Sequence, residues 1–243
     1  MDKGDGNITK GWDTLRVVGI PARYGSTRFP GKLLAEINGK PIIVWVVERV
    51  LKVRNTRVIV ATDDERVKEA VNGLCDVVLT PTDLPSGTDR LAYALKDFDD
   101  KVKIVNVQGD EPFIKPEMVE YLFNMMENED ADIYTLAKRD KMDENPNRVK
   151  VVLDSRGYAL YFSRSPIPYG SREGLIHIGI YGYTKGKLLE FSKLPKPDIE
   201  KTERLEQLRA LYYGWRVKVG IVEYEGISID TPEDLEIARK MLE

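Results

Sequence analysis

Cysteine and histidine are nearly absent from these 243 residues: Cys75 and His177 each stand alone. One cysteine cannot close an intramolecular disulfide or build a cysteine zinc site, and one histidine excludes multi-histidine metal centres. No apolar run approaches the roughly 18 residues that a membrane span requires. Charge of one sign is not in excess either, with 37 basic against 40 acidic residues and a formal net charge of −3. That balance leaves no global footprint for nucleic acid or an anionic membrane, so neither is expected as a partner, although a local basic pocket stays open. Residues 1–13 (MDKGDGNITKGWD) are polar and glycine-rich with no apolar core, and they read as a flexible N-terminal arm rather than a secretory signal. What remains is an ordinary globular composition, 42% hydrophobic and 32% charged, long enough to bury a substantial core. These bounds point to a soluble protein of a reducing, cytoplasmic compartment.

The first half alternates strand and helix patterns. Short β-branched runs at 15–20 (LRVVGI), 57–61 (RVIVA), 76–80 and 103–107 (KIVNV) predict strands. Helical patterns follow from Pro41, over 64–71 with Thr62 or Asp63 as cap, over 88–98, and from Pro116. Four such units in a row predict a parallel sheet with helices on both faces. The second half changes character. Residues 149–154 and 158–164 read as an antiparallel hairpin around 155–157, 176–183 as a strand and 200–213 as a helix. Strands at 216–223 and 227–229 then return the chain to the sheet before a last helix at 232–242. The expectation is an α/β fold, a single domain over 14–243, with a mostly parallel central sheet and an antiparallel excursion over residues 145–215.

In such sheets ligands bind outside the carboxyl ends of the strands, where three loops carry the polar residues. The loop 21–32 (PARYGSTRFPGK) puts Arg23, Arg28 and Lys32 around Gly25, Ser26 and Gly31. Glycine lets backbone N–H groups approach an anion and the cations neutralise it, a combination suited to a polyphosphate. It is neither the G-x-x-x-x-G-K-[ST] loop, since Leu33 follows Lys32, nor G-x-G-x-x-G. The loops 81–90 (PTDLPSGTDR) and 108–112 (QGDEP) should open on the same edge. Asp110 lies just past an apolar strand, where a carboxylate has no packing role. Asp230 precedes Thr231-Pro232-Glu233-Asp234, whose threonine and aspartate suffice as a helix cap, so Asp230 is free for other work. Two aspartates beside a triphosphate pocket suggest Mg²⁺, an octahedral oxygen binder. In IHIGIYGY, period-two alternation places His177, Gly179, Tyr181 and Tyr183 on one strand face, with His177 and Tyr181 ~13 Å apart, a face suited to a polyhydroxylated ligand. Arg164 closes a strand and could pair with a ligand carboxylate, although on its own a salt bridge to an acidic residue of the chain is the reading to prefer. Glu206 and Arg209 are spaced as a helical i,i+3 pair.

Eight segments in order, IPARYGSTRFPGK, ATDDERV, PSGTDR, IVNVQGDEP, VKVVLDSRGYALYFSRSPIPY, HIGIYGY, LEQLRAL and DTPEDLE, resemble the 3-deoxy-manno-octulosonate (Kdo) cytidylyltransferase family. The resemblance runs from about residue 16 to the C-terminus. It implies a Rossmann-like nucleotidyltransferase (GT-A-like) fold that makes CMP-Kdo and pyrophosphate from CTP and Kdo with Mg²⁺, for lipopolysaccharide or capsule-type glycans, as a homodimer. By matching positions, Arg23, Arg28 and Lys32 would hold the triphosphate with Gly25 and Ser26 lining the loop. Asp110 and Asp230 would bind Mg²⁺, and the loop of Ser86 and Gly87 would lie near the cytosine and sugar. Arg90, Gln108, Arg164, His177, Tyr181, Glu206 and Gln207 would contact Kdo. Two departures stand out: the segment 170–176 (GSREGLI) is shorter than the family pattern, and Thr202 replaces an apolar residue. The alternatives are a cytidylyltransferase for a related acid, 8-amino-Kdo or a sialic-type sugar, and a catalytically silent nucleotide-sugar-binding protein.

Overall fold

A computed structural model describes residues 15–25 and 29–242; the expected arm 1–13 and the loop positions Ser26 and Arg28 lie outside the described residues. The chain starts as β1 (Arg16–Ala22), passes a 3-10 turn (Lys32–Leu34) and the short hairpin of β2 (Glu36–Ile37) and β3 (Lys40–Pro41), and enters α1 (Ile42–Val50). The alternation continues through β4 (Thr56–Thr62), α2 (Glu65–Ala70), β5 (Asp76–Leu79), α3 (Gly87–Ala94), β6 (Lys103–Asn106) and α4 (Pro116–Asn128). The second half runs β7 (Ile133–Lys141), β8 (Lys150–Leu153), β9 (Ala159–Ser163), β10 (Glu173–Thr184), α5 (Lys185–Lys193) and α6 (Asp198–Glu203). It closes with α7 (Gln207–Tyr212), β11 (Val217–Ile221) and α8 (Pro232–Met241).

Among the described residues the main sheet has nine strands, in the order β11-β7-β10-β6-β1-β4-β5, with β8 paired to β10 and β9 to β8. β6, β1, β4 and β5 are parallel, as the βα alternation requires. β10 runs antiparallel between β6 and β7, and β11 is parallel to β7. The antiparallel part is therefore not set apart: its longest strand lies inside the central sheet and only β8 and β9 project from it. Alternation along β1 sends Val18 and Ile20 to one face, beneath Val46, Phe123 and Leu235 of α1, α4 and α8. Val17 goes to the other face, beneath Leu91, Leu188 and Leu208 of α3, α5 and α7. Gly19 has a positional reason: a Cβ there would lie 2.9 Å from Leu91 Cδ2, so its absence lets α3 pack close on β1.

Four local expectations need correction. The N-cap of α2 is Asp64, which accepts from Arg66 N; Asp63 is committed elsewhere, to Tyr24 N at 3.0 Å and to Arg90. The helix expected over 200–213 is two helices, broken where Arg204 turns left-handed (φ 53°). The break exposes the carbonyls of Glu203 and Arg204, and the Arg164 guanidinium takes both, at 2.7 and 3.1 Å. The strand expected at 227–229 does not form, because 222–230 has no regular structure and joins the loop after β6 by Ile229 N to Asp110 O at 3.0 Å. Finally, β10 carries a bulge between Ile178 and Tyr181, so strict alternation does not hold through it. The His177 and Tyr181 rings consequently lie 5.5 Å apart, not one extended-strand span.

Candidate active site

The loops after β1, β5 and β6 and the approach to α8 enclose a cavity of about 440 Å³ at the carboxyl edge of the parallel strands. Arg23, Lys32, Ser86, Gly87, Arg90, Gln108, Asp110 and Asp230 line it. Local structure accounts for much of this. Gly31 is left-handed (φ 69°) ahead of the 3-10 turn, and Leu33 is buried, so Lys32 is anchored with its ammonium directed inward. Ser86 caps α3 by accepting from Asp89 N and donates in turn to the Asp89 carboxylate at 2.7 Å. Gly87 follows with Pro21 Cγ 3.1 Å from where a Cβ would be, and Gly109 would place one 3.3 Å from Pro21 O. These close approaches keep the cavity floor free of side chains.

The electrostatic centre of the cavity is Lys32. Its Nζ donates to a carboxylate oxygen of Asp110, to Asp230 Oδ1 at 3.1 Å and to the Ile229 carbonyl at 3.1 Å. Burial alone would lower this ammonium, but the charges and hydrogen bonds of Asp110 and Asp230 outweigh it and hold Lys32 above the ordinary lysine range. Asp110, from the middle of the chain, and Asp230, from near its end, thus converge on one cation. Among the described residues no cluster of three or more histidine, cysteine or carboxylate ligands forms a metal cage. Two carboxylates and a carbonyl are hard oxygen donors, and such a set suits a divalent cation that completes its shell with phosphate oxygens and water.

Arg90 lines the same cavity but is committed. It is 2% exposed, and its guanidinium donates to Asp63 Oδ2 at 3.0 Å, to the Pro81 carbonyl at 3.2 Å and to the Thr80 hydroxyl. Its buried charge therefore ties the loop after β4 to α3. Asp63, expected as a helix cap, is instead the partner of Arg90, and Thr80 carries no signal in the sequence that it joins them.

A second group gathers on the β10 side. His177 Nε2 lies 2.9 Å from Thr135 Oγ1, whose single proton goes to the Ile180 carbonyl at 2.7 Å, so the ring nitrogen is the donor. Burial pushes the His177 imidazole down to about 3, which keeps it neutral. Tyr181 Oη donates to Gln207 Oε1 at 3.3 Å, and burial raises its phenol. Glu206 Oε2 accepts from Thr88 Oγ1 at 2.5 Å, and burial raises its carboxyl against that hydrogen bond and the Arg209 charge. Arg209 holds Glu200 at 2.6 and 2.7 Å and the expected i,i+3 partner Glu206 at 3.2 Å. Gln108 Nε2 donates to Asn106 Oδ1 at 3.1 Å. Arg164 is not brought to the cavity wall; its guanidinium donates to the carbonyls of Pro146, Glu203 and Arg204. Gly25 is described but does not line the cavity. Thr135 was missed because a threonine in a buried strand carries no signal until the bulge it satisfies is seen.

A doubly covered parallel sheet with a cation-lined cavity at its carboxyl edge defines a nucleotide-binding α/β protein. The cytidylyltransferase profile matches residues 17–223, and the chain belongs to that family. It is 49% identical to a 3-deoxy-manno-octulosonate cytidylyltransferase of Thermodesulfovibrio yellowstonii, over 92% of this chain and 96% of that one. It is 46% identical, with the same coverage, to an 8-amino-3,8-dideoxy-manno-octulosonate cytidylyltransferase of Shewanella halifaxensis. Among solved structures, a CMP:2-keto-3-deoxy-manno-octonic acid synthetase complexed with CTP superposes with a TM-score of 0.87 at 41% identity, covering 94% of this chain and 98% of that chain.

Proposed function

We propose that the protein transfers CMP from CTP to the anomeric hydroxyl of Kdo, releasing pyrophosphate. The observation that carries this reading is the meeting of Lys32, Asp110 and Asp230 in one cavity of a chain 49% identical to a Kdo cytidylyltransferase. The anomeric oxygen forms a bond to the α-phosphorus as the bond from that phosphorus to the bridging oxygen of pyrophosphate breaks, and the hydroxyl proton leaves to solvent. No protein nucleophile is required, so the residues act by holding and neutralising. Arg23 and Lys32 bind the phosphates, with Arg28, Gly25 and Ser26 assigned to the same loop by the family motif. Ser86 and Gly87 border the nucleotide over the open floor at Gly87 and Gly109.

Asp110 and Asp230 would hold Mg²⁺, which when bound would supply charge neutralisation to the phosphate groups. For that, Lys32 must exchange the carboxylates for phosphate oxygens. On the acceptor side, the neutral His177, Tyr181, Gln108 and Gln207 offer hydrogen bonds to sugar hydroxyls, while Glu206 is held by Thr88 and Arg209. Arg90 and Arg164, matched to the same role, must release a protein acceptor or use their remaining N–H groups to reach the acid. We assign the working form as a homodimer and the reaction to the cytoplasm, in keeping with a CTP substrate and a lone, half-buried Cys75. Among the described residues no helix is long and apolar enough to cross a membrane.

A relative at 46% identity is an 8-amino-3,8-dideoxy-manno-octulosonate cytidylyltransferase, so the acceptor is the point to test. Pyrophosphate release with CTP and Mg²⁺ should be seen with Kdo and be far slower with its 8-amino relative or a sialic acid. Release with one of those acids but not Kdo would overturn the acceptor and retain the cytidylyl transfer. Silence with all three would overturn the activity.

A further inference from the structure

Asp230 belongs to a segment without helix or strand, yet it reaches the same Lys32 ammonium as Asp110. Behind it, the α8 cap fixes its backbone: Asp230 N and Thr231 N both donate to Asp234 Oδ2, at 3.0 and 2.9 Å. In front of it, the segment is tied to the residue next to Asp110. The Glu111 carboxylate accepts from Tyr224 Oη at 3.1 Å and, on its other oxygen, from the Ser228 hydroxyl. Glu111 is 8% exposed. A carboxylate that deeply placed costs more in desolvation than an apolar residue of its size, so two hydroxyl donors from one loop call for an account. The loop is also wrapped tightly onto the strand exit: a Cβ on Gly226 would lie 2.2 Å from Tyr224 Oη and 2.5 Å from Phe113 Cβ.

We propose that Glu111 is a positioning residue that sets Asp230 opposite Asp110 by pinning Tyr224 and Ser228 of the approach to α8. Glu111 does not line the cavity that Asp110 and Asp230 line. One side chain adjacent to the first ligand thus joins the Asp234 cap and the Ile229 N to Asp110 O bond in fixing the loop that delivers the second. This rests on the Mg²⁺ reading above and adds to it a group that positions one of the two carboxylates.

The test is Mn²⁺ binding in the presence of CTP, read by the electron paramagnetic resonance signal of free Mn²⁺, alongside CTP binding in EDTA. Outer-shell partners of metal ligands are generally worth about 10- to 100-fold in metal affinity, and Glu111→Ala should weaken Mn²⁺ by that order while metal-free CTP binding is unchanged. Glu111→Gln, which keeps one carbonyl acceptor, should recover part of the loss. Ser228→Ala removes a single hydroxyl from an otherwise intact loop and should show a smaller loss of the same kind, so the test survives a Glu111→Ala protein that fails to fold. Mn²⁺ binding equal to that of the parent in Ser228→Ala and the Glu111 variants would overturn the proposal. So would a proportional loss of Mn²⁺ and metal-free CTP binding, the mark of a merely structural role. If the parent itself does not retain Mn²⁺ with CTP, the metal reading fails and takes this inference with it; a parent that does, with unchanged variants, sinks the inference alone.

Discussion

One ammonium cannot neutralise two carboxylates and a triphosphate at the same time. Lys32 lies on Asp110 and Asp230, and those charges hold it protonated. The phosphates of CTP are the stronger anion, and their arrival should draw the ammonium away and release both carboxylates to a divalent cation. Lys32→Met removes the competing charge. Calorimetry should then show the nucleotide-free variant binding Mn²⁺ more tightly than the parent, while CTP binding weakens. Turnover should fall by about 100- to 1,000-fold, the range found for losing one preorganised charge partner at a reacting centre. Metal affinity that stays level or drops without nucleotide would refute the exchange. The cation in its glycine-flanked loop was legible in the sequence because all its local features lie within a few residues. That it spans Asp110 and Asp230 was not, because nothing in sequence spacing reports a contact between opposite ends of the chain.

Elements show the same division between local and distant causes. The helix cap at Thr231 and Asp234 and the parallel strands β1, β4 and β6 follow from short-range chemistry, and the chain forms them where that chemistry lies. The bulge in β10 does not, because what stabilises it is Thr135 on the neighbouring strand, whose hydroxyl takes the Ile180 carbonyl and receives the His177 ring. Similarly, the break between α6 and α7 owes its stability to Arg164 from β9's end and leaves Glu200 and Glu206 on either side of Arg209. The bulge has a titration consequence. His177 is the one histidine of the chain, and burial moves it from 6.5 to about 3 in the folded protein. The unfolded chain therefore binds a proton that the folded chain refuses over that interval, so this residue's contribution to stability is full above 6.5 and is lost as pH falls toward about 3. The single imidazole Cε1–H resonance should not shift between neutral pH and about pH 5. Urea unfolding of His177→Gln over the same interval should lose stability less steeply than the parent. A ring signal that titrates with an ordinary midpoint near 6.5 would contradict this.

At the scale of the whole molecule, the chain brings its first loop, its central sheet and its last helix to one edge, leaving the projecting pair β8 and β9 away from the nucleotide cavity. β9 pairs only with β8 among the described strands, and an exposed strand edge invites further pairing unless something covers it. Leu160 on β9 is 61% exposed, and Tyr169, just beyond the strand, is fully so. Beside them a shallow apolar hollow of about 420 Å³ is lined by Val151, Leu153, Ile167, Pro168, Leu175 and Ile221. Exposed apolar side chains and a largely apolar hollow on one projecting pair suit an interaction face. A second copy of the chain is the partner that the proposed homodimer supplies, and a twofold contact would bury the same patch on both subunits. Light scattering should accordingly give twice the mass of one chain, and the paired change Leu160→Glu with Tyr169→Ser should halve it. Because the patch lies outside the cavity walls, CTP affinity should survive that change. A parent that runs as a single chain, or a variant that keeps the parent mass, would remove this face from the assembly.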